Sequence, residues 1–138
     1  IIEINPEQMV IPFFINEDGQ ITGNAVANGL SLEFEYNEPL ETVSMSLDQA
    51  MKMLREAWIT KKNFTLKDSA ILGDGTIKDG AEFTLNILSF GRNMTLENVK
   101  VSVSHDQAAP LMVGKAALDR IGTYTVSREE SKIIFDGQ

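Results

Sequence analysis

The chain has no cysteine. Disulfides, thiolate catalysis and cysteine-based zinc sites are thereby excluded. A chain without cysteine suits reducing and oxidising compartments alike. There is one histidine, so any Ser-His-Asp system would have to be built on it. There is no basic excess: the net charge is −8 and the pI about 4.6. That argues against nucleic acid and against an anionic membrane surface, both of which need a basic face. A self-repelling acidic surface is the plain reading. No apolar run approaches the roughly 18 residues that span a bilayer. No basic segment leads into an apolar one as a signal peptide would. The chain opens Ile1-Ile2-Glu3 without Met, as would follow from a removed leader or an excised segment. No Pro/Ser-rich linker and no short repeat divides it.

What is present fits one globular domain. The chain has 138 residues, 43% of them hydrophobic and 23% charged. That length can bury roughly two-thirds of the unfolded surface. The dominant pattern is β. Met9 to Ile15 is a short apolar run. Asp18-Gly19 then predicts a type I′ hairpin turn, with Ile21 to Ala27 as the return strand. Asn28-Gly29 marks a second tight turn. Leu30 to Tyr36 alternates, with Leu30, Leu32, Phe34 and Tyr36 on one face and Ser31, Glu33 and Glu35 on the other. Ser46 and Gln49 fit a capping box. Leu47, Ala50, Met51, Leu54 and Ala57 continue at helical spacing, so a helix is expected to end near Trp58.

The second half is again β-rich. Short candidates at 64–67, 70–72 and 76–78 flank Gly73-Asp74-Gly75. From Ala81 to Phe90, Phe83, Leu85 and Ile87 alternate against Glu82, Thr84 and Asn86. Met94 to Ser104 returns with Leu96, Val99, Val101 and Val103. Leu111-Met112-Val113-Gly114 is a short buried run. Lys115 to Ile121 reads as a helix stopped by Gly122. Strands at 123–127 and 132–135 close the chain.

Most local motifs have plain readings. Ser104-His105-Asp106 are sequence neighbours, which do not converge on one point, so a surface turn is expected. Asn16 to Ile21 looks like the middle of a calcium loop. The loop's ends would be Phe14 and Ala25, which offer no carboxylate, so it reads as a hairpin turn. Asn63-Phe64-Thr65 and Asn93-Met94-Thr95 fit a glycosylation triplet that is common by chance. Gly73-Asp74-Gly75 lacks the following helix and lysine of a phosphate loop and reads as a hairpin tip. No cofactor and no metal site is suggested.

One ordered arrangement is more specific. Residues 32–46 (LEFEYNEPLETVSMS), the Gly73-Asp74-Gly75 hairpin and residues 111–122 (LMVGKAALDRIG) follow one another. This order resembles the retropepsin-like aspartic proteases, in particular their single-lobe bacterial branch, over about residues 8–136. There a hydrophobic strand leads into Asp-Thr/Ser-Gly-Ala, a glycine-bearing flap follows, and two apolar residues with a glycine open a late helix. The resemblance implies a mostly β fold, a closed barrel or sandwich lobe with one or two short helices. It implies one domain over 1–138, with 1–7 an N-terminal extension. Val113 and Gly114 would be the late structural motif, and Gly73, Asp74 and Gly75 the flap.

At the family's catalytic positions this chain departs from the pattern. Asn37 stands where the family has Asp, and Glu38 and Pro39 where it has Thr and Gly. Aspartic proteolysis needs two carboxyl groups sharing a proton. Asn37 is an amide and cannot take a proton from water. Buried unpaired, Glu38 would cost several kcal/mol, so altered local geometry is expected. Pro39 has no backbone N–H and a fixed φ. On an extended segment Glu38 would point away from the face that Asn37 uses.

The expectation is therefore a catalytically inactive binding or structural module rather than an enzyme. Its partners would be a second copy of itself and an extended peptide in the groove between copies. One alternative is a supporting or inhibitory lobe of a larger aspartic peptidase. Another is a peptidase with a reassigned carboxylate, Glu38 or Glu41. Without the resemblance, an envelope or adhesion module with an immunoglobulin-type sandwich would fit. The bacterial branch and the trimmed start point to the cell envelope or periplasm.

Overall fold

A computed structural model describes residues 10–64, 71, 75–78, 80–91, 94–104 and 110–135. The first apolar run makes two strands. β1 (Val10–Pro12) and β2 (Phe14–Ile15) join different sheets. The division falls at Phe13, which is buried and whose N–H donates to the Ser131 carbonyl at 3.0 Å. β3 (Ile21–Ala27) and β4 (Leu30–Tyr36) form a hairpin. Its turn has Asn28 at φ 50° and Gly29 at φ 99°. Both central residues are left-handed, as a two-residue hairpin requires. Asn28 also ties this turn to the rest of the barrel. Its amide donates to the Trp58 carbonyl at 2.9 Å and its oxygen accepts from the Ile87 N–H at 3.0 Å.

The turn before β3 differs from the type I′ expectation. Only Gly19 has positive φ, at 80°. Asn16 and Gln20 pair at 2.9 Å across a three-residue loop. The Asn16 side-chain oxygen accepts from the N–H groups of Asp18 and Gln20. That asparagine supplies the turn's geometry, so a left-handed Asp18 is not needed.

β5 (Val43–Ser46) leads into α1 (Leu47–Arg55). Ser46 Oγ accepts from the Gln49 N–H at 3.2 Å, which is half of the expected box. The other half is missing, and the buried Gln49 Nε2 has no partner. A serine cap of this kind contributes about 1 kcal/mol. The helix stops at Arg55, earlier than expected, because the chain turns left-handed at Ala57 (φ 64°). Its buried residues are Ala50 and Met53, while Ala57 is exposed. A 3₁₀ turn (Lys61–Asn63) follows. The Asn63 amide donates to the Thr84 carbonyl and to the side-chain oxygen of Asn86.

β6 (Glu82–Ser89) and β7 (Thr95–Ser104) form the longest antiparallel ladder. The expected alternation holds through Leu85, then changes phase. Ile87 is exposed and Leu88 is buried. On the facing strand Asn98 has φ 56°, and Leu96 and Val99 are buried on either side of it. The left-handed residue resets which side chains face inwards on both strands. β8 (Leu111–Val113) and α2 (Lys115–Asp119) follow. α2 ends before Ile121, and Gly122 lies beyond it. β9 (Tyr124–Ser127) and β10 (Lys132–Phe135) make the last hairpin.

The strands close on themselves. The order is β2-β3-β4-β8-β5-β7-β6, and β6 pairs back onto β3 through Val26↔Ser89 and Ala27↔Leu88. Strands β3 to β8 thus form a six-stranded barrel, with β2 attached outside β3. A separate three-stranded sheet has the order β1-β10-β9. This is the mostly β, closed-barrel lobe with two short helices that the alternation and the resemblance implied. The barrel interior is filled by strand residues such as Phe34, Phe83, Leu85 and Val101, and Leu118 of α2 is fully buried as they are. Phe34 meets Phe90 edge-to-face at 5.2 Å. Among the described residues no helix is long and apolar enough to cross a membrane.

Candidate functional site

The site follows from where β8 lies. β8 runs parallel to β4, with Tyr36 opposite Val113, and antiparallel to β5 at Ser44↔Met112. It therefore separates two strands that are consecutive in the chain. The segment joining β4 to β5 must cross the C-terminal end of β8. It crosses at Gly114. A Cβ there would collide with the Leu40 carbonyl oxygen, and would lie 2.7 Å from Leu40 Cβ and 2.9 Å from the Asn37 carbonyl oxygen. Gly114 has φ −110°, which any residue adopts, so the requirement is space.

Three backbone hydrogen bonds fasten the crossing. The Asn37 N–H donates to the Val113 carbonyl at 2.8 Å. The Leu40 N–H donates to the Asn37 carbonyl at 3.2 Å, closing a turn. The Lys115 N–H donates to the Glu38 carbonyl at 3.1 Å. This last bond satisfies one of the unpaired N–H groups at the start of α2, where Gly114 has no side chain to cap with. The structure thus brings Asn37, Glu38, Val113 and Gly114 together. Pro39 is on the exposed side of the same turn. Gly73 and Asp74 of the expected flap lie outside the described residues, as do His105 and Asp106. Gly75 is exposed, and an isolated antiparallel bridge joins Ile71 to Ile77 around it. Gly75 borders neither of the depressions described next.

Two depressions flank the turn. One, of about 600 Å³, is bounded by Tyr36, Glu38, Lys115, Asp119 and Tyr124. The other, of about 500 Å³, is bounded by Gln20, Glu35, Asn37, Glu38 and Arg128. They share Tyr36, Glu38 and Val126, so they lie side by side at the crossing. Glu38 is exposed, so its charge is not buried unpaired. One expectation about it is corrected: it borders the same depression as Asn37, because residues 37–40 form a turn and the alternation of an extended strand does not apply.

The first depression has a paired phenol wall. The Tyr36 and Tyr124 hydroxyls are 2.7 Å apart, and the rings meet edge-to-face at 6.3 Å. Burial, and then the hydrogen bond with Tyr36, hold the Tyr124 phenol well above its ordinary range. Lys115 Nζ reaches Asp119 at 2.7 Å and lies 5.9 Å from the centre of the Tyr124 ring. The bond to Asp119 keeps the ammonium above its ordinary value. This cation stays charged at all usable pH.

The alternation placed Glu35 in solvent, but only 8% of it is exposed. The reason is tertiary. Residues of the 16–20 turn and of β9, distant in sequence, stand beside the outer face of β4. Burial, then the charges of Asp18 and Glu33, raise the Glu35 carboxyl above its ordinary 4.5. A carboxyl so raised can carry a proton at mildly acid pH. Among the described residues no group of three metal-ligating side chains converges.

The overall geometry has a counterpart among solved structures. A retropepsin-like aspartic protease from Rickettsia conorii superposes with a TM-score of 0.62 over 93% of this chain and 90% of that one, at 15% identity. The chain has a retropepsin-like fold. The retroviral protease-like domain of Ddi1 from Leishmania major is a weaker likeness, with a TM-score of 0.48 at 8% identity over 98% of this chain and 92% of that one. Basic 7S globulin from soybean gives 0.45 at 11% identity, over 94% of this chain and 40% of that one. No family model and no curated protein matches the sequence. At these identities the likeness is one of fold.

Two predictions follow from this geometry. Gly114→Ala should lower unfolding stability by about 3 kcal/mol, at the upper end for overpacking, because the colliding partner is backbone; urea denaturation measures it. Glu35→Gln should raise the midpoint of thermal denaturation at neutral pH. The native state holds the Glu35 proton more tightly than the unfolded chain does. The wild-type protein therefore loses stability as pH rises from 4.5 through the raised native value. The advantage of the variant should shrink as pH is lowered towards 4.5, and a pH series of melting curves reads it.

Proposed function

We propose that this protein is a non-catalytic binding module that holds an extended peptide in a groove formed with a second copy of itself. The observation that carries this reading is the turn over Gly114. Its backbone is closed by hydrogen bonds and its two flanks are open depressions, yet the side chain at its head is the amide of Asn37. An amide can donate to and accept from a peptide backbone. It cannot act as the base that draws a proton from water. The dimer rests on the symmetry of two-carboxylate sites, in which one lobe is half of a groove. β9 supports it as well, since among the described residues it pairs only with β10 and is the edge of its sheet. Peptide binding by strand addition would give affinity through the backbone and selectivity through the depressions.

A second reading is a peptidase with a reassigned carboxylate. Glu35 is what favours it, as a covered carboxyl two residues before Asn37, beside the same depression, with a raised pKa.

Incubation with a diverse peptide pool from about pH 3.5 to 7, the range in which carboxyl bases titrate, separates the two readings. The binding-module reading expects no new termini by mass spectrometry. New termini that disappear in Glu35→Gln or Glu38→Gln would establish the peptidase instead. Sedimentation tests the groove. A dimer is expected at micromolar concentration, and a monomer there would remove the two-copy site.

A further inference from the structure

Glu35 is a charged side chain that is more than nine-tenths covered and yet unpaired. It stands on β4 opposite Thr22 of β3 and Met112 of β8. Its carboxylate makes no hydrogen bond and no ion pair with any described residue. The charges that act on it most are of its own sign. Asp18 comes from the 16–20 turn, and Glu33 lies two residues earlier on the same strand. Glu38 borders the same depression. Arg128 also borders it, but is exposed and forms no ion pair with Glu35. The Glu35 carboxylate thus opens into the depression among like charges, without a cation paired to it.

The surroundings decide which cation. A metal ion needs several oxygens converging on one point, and no such group exists among the described residues. An ammonium or guanidinium group on an alkyl stem needs less. It requires one carboxylate for the head and apolar walls for the methylenes. The depression of about 500 Å³ offers both, with Glu35 at one wall and Tyr36, Ile21 and Val126 beside it. We infer that this depression seats an arginine or lysine side chain of a bound extended peptide, with Glu35 as its counter-ion. The inference rests on the peptide-groove reading above and adds the class of residue the groove selects.

The test uses the full chain, labelled with ¹⁵N, and two capped pentapeptides. One is Ac-Ala-Val-Arg-Val-Ala-NH2, and the other carries neutral citrulline in place of arginine. n-Butylguanidinium serves as a third probe without a peptide backbone. The arginine peptide is expected to shift the amide signals of Gln20, Glu35 and Val126. It should bind about tenfold more tightly than its citrulline twin, as a charge-assisted pair implies. Glu35→Gln should erase that preference while its spectrum remains that of a folded protein. Glu33→Gln, which removes the same charge from an exposed neighbour, should keep most of it. If both peptides bind equally, or Glu35→Gln keeps the preference, the cation seat is overturned and the peptide groove stands. If butylguanidinium shifts these signals and neither peptide binds, the seat is supported and the peptide groove fails. If no probe binds, both are overturned.

Discussion

The structure depends on one close approach, the passage of residues 37–40 over Gly114. β8 lies between β4 and β5, and the chain linking those two strands has to cross its end. The absence of a side chain at Gly114 lets the two backbones come within contact distance. That proximity allows the N–H groups of Asn37 and Lys115 to find carbonyl partners across the crossing. It also sets the start of α2 against the turn, with a depression on either side. The barrel, the helix and the groove therefore share one point of contact.

Much of the fold was legible because it is encoded locally. Asn28-Gly29 specifies its turn through two left-handed residues. Ser46 specifies a helix start through one hydroxyl, and the hairpin of β9 and β10 follows from apolar strands around a polar turn. The phase change at Ile87 and Leu88 was not legible, because it is set by Asn98 on the facing strand. The early end of α1 was not legible either, since the spacing of apolar residues continues past Arg55 while the backbone does not.

The candidate site divides the same way. Asn37, Glu38, Pro39, Val113 and Gly114 were singled out by their order along the chain, and four of them meet at the crossing. The relation of Glu38 to Asn37 was misjudged because strand geometry was extended into a turn. Glu35 was overlooked for a different reason. Alternation assigns a face to each side chain, but it does not tell whether that face is later covered. The cover over Glu35 comes from the 16–20 turn and from β9, roughly one hundred residues apart in the chain. The one available signal was compositional: three glutamates in an acidic chain, one of them two residues before the site.

The position of β8 also bears on how the chain reaches this state. β4 and β5 are complete by Ser46, yet the strand that fills the space between them is Leu111–Val113. Until that late strand arrives, both earlier strands present an unsatisfied ladder on their facing edges. Pairings so distant in sequence form slowly, because the loop must close before any contact rewards it. Barrel closure therefore requires Leu111–Val113, which is made after most of the chain. The edges left open in the interval are where a folding intermediate would pair with the wrong partner. The crossing that builds the groove rests on the pairing of β4 with β8, the most distant in sequence within the barrel.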